Sequence, residues 1–164
     1  MNVNLRFIRR AILLSFAFAA ACGDDPASPS LPTDVEALRA ALAPYSSLAL
    51  AKQAGFTAIT DCMSNGDEGA MGVHFANTAL FDATADALHP EALIYEPGND
   101  GEMSLVGVEF IIPYAAVPKT APAPELFGQK FSQVDVFGVW GLHVWTHRLN
   151  PNGTFAMWNP RVHC

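Results

Sequence analysis

The apolar residues that follow position 32 first recur at the spacing of an α-helix. They lie three or four positions apart, as one face of a helix requires, at Val35, Leu38, Leu42 and Tyr45. Thr33 and Glu36 have the spacing of a capping box at the start of this helix, and Pro44 ends or kinks it. A second helical stretch covers residues 47–54 and stops at Gly55. The pattern predicts two N-terminal helices that cover one side of a sheet.

From Met71 onward the residue types are those of β-strands. Val, Ile, Phe, Tyr and Trp are concentrated in segments bounded by turn residues, at 71–77, 92–96, 103–113, 131–137 and 140–149. The turn sequence Asn-Pro-Asn-Gly follows, which predicts an antiparallel hairpin between residues 140–149 and 154–158. The expected fold class is α+β, with N-terminal helices packed on a curved, mainly antiparallel β-sheet or partial barrel.

Titratable residues interrupt the apolar pattern of the predicted strands. His74, Glu109 and His143 each stand where an apolar residue is expected, and Glu96 and His147 are secondary cases. A charged group facing a core costs several kcal/mol unless it is paired or loses its charge. The least costly arrangement lets such groups face one another, a metal ion, or water in a cavity. We therefore expect His74, Glu109 and His143 to meet in one pocket. In two of the strands a glycine stands two positions before the titratable residue and leaves room beside its side chain.

Two imidazoles with one or two carboxylates suit a divalent metal, and Zn, Fe(II), Mn and Cu(II) are all candidates. The same set also suits metal-free acid–base chemistry, in which a carboxylate raises the pKa of a nearby histidine. The spacing of His143 and His147 matches a helical metal motif, but on a strand these residues lie ~13 Å apart. The plainer alternative is that each group faces solvent or is hydrogen-bonded in the core.

The first 21 residues have the three parts of an export signal. Arg6, Arg9 and Arg10 precede an apolar stretch at 11–18, and three alanines follow it. The next residue is Cys22, and Ala-Ala-Ala-Cys resembles a bacterial lipobox, in which this cysteine is acylated. Residues 22–32 are then a Pro-rich tether, and residues 33–164 form a single domain. The alternative is cleavage before an unmodified Cys22, followed by secretion.

The chain has three cysteines, and the odd number is explained if Cys22 carries the lipid. Cys62 and Cys164 then remain as a pair, for which we expect a disulfide in an oxidising compartment. The alternative is two free, buried thiols. The expected location is the cell envelope, with the protein exported and anchored by lipid in the periplasm or at the cell surface.

Charge narrows the range of partners. The chain has 9 Lys and Arg against 16 Asp and Glu, a net charge of −7, and loss of the arginine-bearing leader makes it more acidic. Such a surface repels phosphate backbones, so nucleic acid is not an expected partner. The expected partners are the membrane, through the lipid anchor, and a small-molecule ligand. No P-loop, dinucleotide fingerprint, Gly-x-Ser-x-Gly or haem-attachment motif is present in the sequence.

Several runs of sequence resemble a family of exported bacterial proteins and lipoproteins that has no established activity. These runs are MGVHF at 71–75, LVGVEF at 105–110, LHVW at 142–145 and NPNGTFAMWNPRVHC at 150–164. The resemblance extends from about residue 48 to 164 and implies export, but no reaction.

The sequence thus predicts a cell-envelope lipoprotein whose His/Glu pocket binds a divalent metal or a small ligand. Whether the protein is an enzyme is left open. The alternative is a non-enzymatic envelope module that docks another protein through a face of the sheet or through the Pro-rich loop at 118–124.

Overall fold

An antiparallel β-sheet forms the body of the protein. The computed structural model describes residues 31–164, so the predicted signal peptide, Cys22 and most of the predicted tether lie outside the described residues. In chain order the strands are β1 (Thr57–Ala58), β2 (Met63–Ser64), β3 (Ala70–Ala76), β4 (Ala92–Pro97), β5 (Met103–Pro113), β6 (Glu125–Leu126), β7 (Gln129–Lys130), β8 (Ser132–Val134) and β9 (Val139–Val144).

The main sheet has the strand order β1-β3-β4-β5-β9-β8, and all of its pairs are antiparallel. β2 also pairs with β3, while β6 and β7 form a separate two-stranded ribbon. The predicted α+β class with a mainly antiparallel sheet is confirmed. Within residues 31–164 the sheet does not close into a barrel, because its strand order ends at β1 and β8.

Two short helices, α1 (Thr33–Ala41) and α2 (Leu48–Gln53), precede the sheet. The predicted capping box does not form: Pro32 is the N-cap residue of α1, and no side chain caps it. Thr33 therefore already lies inside the helix, one position too far along to act as the cap. At α2 the Ser47 hydroxyl accepts a hydrogen bond from the amide of Leu50. No helix in the described part of the chain has the length and apolarity needed to cross a bilayer.

The two faces of the sheet are different in character. Neighbouring residues of a strand point to opposite faces. One face carries the main core, which includes Phe75, Leu93, Tyr95, Val108, Phe110, Leu142 and Val144 together with Val35, Leu38 and Leu42 of the first helical segment. The alternate positions on β3, β5 and β9 are His74, Glu109 and His143, so these three side chains share the other face.

The predicted hairpin after residue 140 is not a two-stranded ladder. β9 ends at Val144, and residues 154–158 form no strand, although the Trp145 amide donates to the Thr154 carbonyl at 2.9 Å. The turn itself is present, with the Gly153 amide donating to the Asn150 carbonyl at 3.0 Å. Asn159 instead forms an isolated bridge with Ala70, which draws the chain toward β3 and away from β9. The predicted strand at 131–137 shortens to β8, because a turn with Gly138 at φ +68° follows it.

A disulfide joins Cys62 to Cys164, with their Cα atoms 5.6 Å apart. This is the predicted pairing, and it links residues separated by 102 positions in the sequence. The bond attaches the C-terminal residue to the segment that precedes β2.

We expect replacement of both cysteines, Cys62→Ser with Cys164→Ser, to lower the free energy of unfolding by about 4–5 kcal/mol. The reason is that the cross-link removes the loop-closure entropy of a long unfolded segment. Urea denaturation of the two proteins measures the difference. Ser64→Ala, at an exposed position on β2 two residues from Cys62, is the matched control and is expected to leave the midpoint unchanged. Equal midpoints for wild type and the double variant would contradict this account.

Candidate metal centre

Three strands bring His74, Glu109 and His143 together, as the alternation of residues predicted. Glu109 on β5 lies directly opposite His143 on β9, and His74 reaches them from β3 across the intervening β4. All three side chains are buried, and they offer donor atoms that lie within 4.8 Å of one another. A metal ion held by these residues would therefore take one ligand from each of three strands.

The two distances at His74 Nε2 match those between ligands of one ion. His74 Nε2 lies 3.1 Å from His143 Nε2 and 3.3 Å from Glu109 Oε2. Donors that each stand about 2.0–2.2 Å from a shared ion are separated by roughly 3 Å. In the metal-free protein the two imidazole nitrogens instead share a hydrogen bond, one donating to the other. His143 Nδ1 lies 3.8 Å from Glu109 Oε1, beyond hydrogen-bond distance.

Thr60 fixes the orientation of the His74 ring. Its hydroxyl oxygen accepts the amide hydrogen of His74 at 3.0 Å and lies 3.3 Å from His74 Nδ1. A histidine ligand normally donates its second ring N–H to an acceptor, which leaves the other nitrogen bare for the metal. In the tautomer that carries its hydrogen on Nδ1 and donates it to Thr60, the bare nitrogen is Nε2, the atom that faces Glu109 and His143. Sequence reasoning missed Thr60, because it lies in an irregular segment with no periodic pattern.

Gly141 provides the room that the Glu109 carboxylate needs. A β-carbon at Gly141 would lie 2.5 Å from Glu109 Oε1. The glycines expected to do this, Gly72 and Gly107, instead face backbone: their β-carbons would lie 2.5 Å from the Tyr95 carbonyl oxygen and 2.7 Å from the Val144 carbonyl oxygen. The expected room therefore exists, but it comes from the glycine opposite Ile111 on the neighbouring strand.

Burial makes the metal-free cluster electrically neutral near pH 7. Loss of hydration lowers the pKa of His74 to about 4. Burial, and then the neighbouring His74, lowers the pKa of His143 to about 3. Burial, and then the charge of Glu91, raises the pKa of Glu109 to about 8. The resting state consequently has two neutral imidazoles and a protonated carboxyl, which avoids placing a net charge in the interior.

Glu91 is a second buried carboxyl, and no sequence pattern indicated it. Its Oε2 accepts the amide hydrogen of Ile111 at 3.0 Å, just before β4 begins at Ala92. The side chain thus supplies an acceptor where the neighbouring strand supplies no carbonyl. Burial raises the pKa of Glu91 to about 7. Its role in the structure is to complete the hydrogen bonding of β5.

The cluster lies at a cavity of about 390 Å³. Thr60, His74, Glu109 and His143 contribute its polar groups, and the remaining lining is mainly aliphatic and aromatic: Ile59, Met63, Met71, Phe81, Ile111, Val134, Val136, Phe137, Val139, Met157 and Trp158. A smaller hollow of about 260 Å³ shares Glu109 and His143 and is lined by polar residues that include Gln129, Lys130 and Ser132. Bound groups can therefore reach the cluster from an apolar and from a polar space.

The two secondary candidates take other partners. The Glu96 carboxylate contacts the Arg148 guanidinium at 2.5 Å and accepts the amide hydrogen of His163 at 2.9 Å, so it ties the C-terminal segment to β4. His147 Nδ1 lies 2.8 Å from the Thr146 hydroxyl, beyond the end of β9. In the part of the chain that the structure describes, the group that could hold an ion contains neither residue.

Comparison with known proteins finds no match: no family model, curated protein or solved structure is similar to this chain. The resemblance of its sequence runs to a family of exported bacterial proteins stays a prediction.

The pKa values predict how Zn²⁺ binding varies with pH. Glu109 can bind Zn²⁺ only after its carboxyl group has released a proton. Because its pKa is about 8, the carboxyl group is mostly protonated at neutral pH. The pKa values of His74 and His143, about 4 and about 3, mean that both imidazoles are already neutral. We expect the affinity to rise about tenfold per pH unit from about pH 5 to about pH 8 and then to level off. Competition with a chromophoric chelator measures it.

Glu109→Gln is the control for this dependence. The amide has no proton to release, so the variant should bind more weakly, with an affinity that varies little over the same range. A wild-type affinity that is constant between these pH values would contradict the raised pKa of Glu109.

Gly141→Ala tests the room beside the carboxylate. The new methyl group displaces Glu109 Oε1, and we expect metal affinity to fall about 10–100-fold, the range seen when a ligand loses its orientation. Gly98→Ala is the matched control, because its β-carbon would meet chiefly the flexible Asp100 side chain, 2.7 Å away. Zn²⁺ titration and circular dichroism separate loss of binding from loss of fold; unchanged affinity in Gly141→Ala would refute the assignment.

Proposed function

We propose that this protein binds a divalent transition metal through His74, Glu109 and His143. The observation that carries the proposal is the burial of three donor side chains from three strands at ligand-to-ligand distances, 3.1 Å and 3.3 Å around His74 Nε2. Isolated groups of this kind are costly in an interior, and a shared ion offsets that cost. Thr60 supports the proposal because it directs His74 Nε2 toward the other two donors.

The donor set leaves coordination positions open. Two histidines and one carboxylate are the ligands of many catalytic zinc sites and of non-haem Fe(II) centres, and Cu(II) and Mn also accept this set. An ion held in this way acts as a Lewis acid on an oxygen atom of a bound molecule. Glu109 serves as a ligand, and the cavity of about 390 Å³ gives a small molecule access. We therefore assign small-molecule binding at a metal as the function that this geometry supports best.

Metal-free acid–base chemistry fits the cluster less well. A general base works best with a pKa near the operating pH. Burial holds the pKa of His74 at about 4 and that of His143 at about 3, so both imidazoles are weak bases. Burial raises the pKa of Glu109 to about 8, so this carboxyl alone has a pKa near the operating pH. Because it is protonated at neutral pH, neither histidine has an anionic partner that would raise the pKa of its imidazole.

We also propose that the protein works in the cell envelope, exported and anchored to the membrane by lipid on Cys22, in the periplasm or at the cell surface. The sequence of the first 22 residues supports export and lipidation, with secretion of an unlipidated form as the alternative. The disulfide between Cys62 and Cys164 supports an oxidising compartment, because such bonds are rarely retained in a reducing cytosol.

The test is metal analysis of protein purified without chelators and without a nickel column. We expect one divalent metal per chain, with affinity lowered more than about 100-fold in His74→Ala and in His143→Ala, since loss of a ligand exceeds loss of a ligand's hydrogen-bond partner. His89→Ala and His163→Ala are matched controls, because both side chains are exposed and lie outside the cluster.

The opposite outcome favours the protein-docking alternative. Protein that binds no metal, together with unchanged thermal stability in Glu109→Ala, would reject the metal site. It would favour a non-enzymatic envelope module that docks another protein through a face of the sheet or through the Pro-rich loop at 118–124.

A further inference from the structure

We infer that the metal centre takes a small molecule with an apolar body and one anionic oxygen donor at its end, such as a medium-chain carboxylate. The oxygen would face the ion, and the body would occupy the cavity above it. This inference rests on the proposed function, because the anionic end is selected by the ion.

The size and lining of the cavity define the body of this ligand. Its volume of about 390 Å³ is near the lower end of small-molecule pockets. At about 30 Å³ for each water-sized group, the space holds on the order of ten non-hydrogen atoms. Above Thr60 and the three donors, the lining consists mainly of aliphatic, aromatic and thioether side chains. A sugar or a peptide backbone would lose hydrogen bonds to water there without replacing them.

The net charge of the metal centre defines the other end of the ligand. A divalent ion with the ionised Glu109 and two neutral imidazoles carries one net positive charge. Among the described residues that line the cavity none is Lys or Arg, and Glu109 is the one acidic residue. A buried net charge is stabilised by a single opposite charge in contact with it. A monoanion bound to the ion therefore leaves the interior neutral, whereas a cation or a dianion does not.

Four exposed apolar residues line the cavity. Val136 and Phe137, in the turn between β8 and β9, are 83% and 56% exposed, and Ile59 and Met157 are 48% and 41% exposed. The described part of the chain has seven exposed large hydrophobic residues, and these four of the seven line the same cavity. Exposed apolar side chains gathered around an opening mark a binding surface for an apolar group. The body of the ligand would be covered by them.

The polar hollow offers a competing location for an anion. Lys130 is exposed there, and the hollow also reaches Glu109 and His143. An anion held by Lys130 would gain little from an apolar body, because the hollow is lined mainly by polar groups. The dependence of affinity on chain length therefore distinguishes the two locations.

The experiment uses the purified protein loaded with Co²⁺, whose visible spectrum changes when a new ligand binds the ion. Acetate, butanoate, hexanoate, octanoate and decanoate are titrated against it. We expect affinity to rise by up to about fourfold per methylene group, as burial of hydrocarbon predicts, and to level off near ten non-hydrogen atoms. Octylamine has the same body and the opposite charge and is expected to leave the spectrum unchanged.

Two exposed hydrophobic residues provide a matched pair of variants. Phe137→Ser removes an apolar group that lines the cavity without adding a charge, so octanoate affinity should fall about tenfold while acetate affinity changes little. Leu50→Ser is the control, because Leu50 has 46% exposure and lies on α2, outside the cavity lining. Lys130→Met is expected to leave octanoate binding unchanged.

Each outcome decides between the proposals. Co²⁺ binding with carboxylate affinity independent of chain length, or lost in Lys130→Met, would overturn this inference and leave the metal site standing. Tryptophan fluorescence measures the binding of octanoate and of octanol to the metal-free protein. Equal affinities for the two compounds would also overturn this inference. Failure to bind Co²⁺ would reject the proposed function, and this inference with it.

Discussion

The close approach of two imidazoles and a carboxyl on one face of the sheet is the constraint on which the rest of the structure depends. His74 Nε2 lies 3.1 Å from His143 Nε2 and 3.3 Å from Glu109 Oε2. Glu109 also places its other oxygen 3.8 Å from His143 Nδ1. Its carboxylate fits because Gly141 lacks a side chain, and its proton is retained because burial raises its pKa to about 8. A change in any neighbour of Glu109 therefore alters the geometry and the charge of the whole cluster.

The main hydrophobic core lies on the face of the sheet opposite the cluster, so the fold remains stable with three polar side chains buried on the other face. The face that carries Phe75, Val108 and Leu142 supplies a large continuous core. The opposite face holds only smaller apolar groups, one around Trp145 and one around Ile111, on either side of the polar residues. Because the main core lies elsewhere, the polar face can keep a cavity that a well-packed interior would fill.

The local rules of a strand were enough to predict the three central residues. Alternation places His74, Glu109 and His143 on a face, and the cost of burying them apart implies that they meet. The mainly antiparallel α+β class followed from residue types in the same way. The roles of Thr60 and Glu91 could not be predicted, because they depend on which segments become neighbours. Gly141 stands two positions before His143, as Gly107 does before Glu109, but only the pairing of β5 with β9 places it beside the Glu109 carboxylate. Glu96 was selected by the same alternation, yet it binds Arg148 and His163, residues brought near it only by the path of the C-terminal segment.

The C-terminal segment has a consequence for when the cavity can exist. Met157 and Trp158 form part of the wall, and the residues after them are held by the Asn159–Ala70 bridge, the His163–Glu96 hydrogen bond and the disulfide. Because synthesis proceeds from the N-terminus, this segment is made after every strand of the sheet. The wall of the cavity is therefore completed last, and the cavity can accept a ligand or an ion only after synthesis has passed residue 158 and this segment has reached β3.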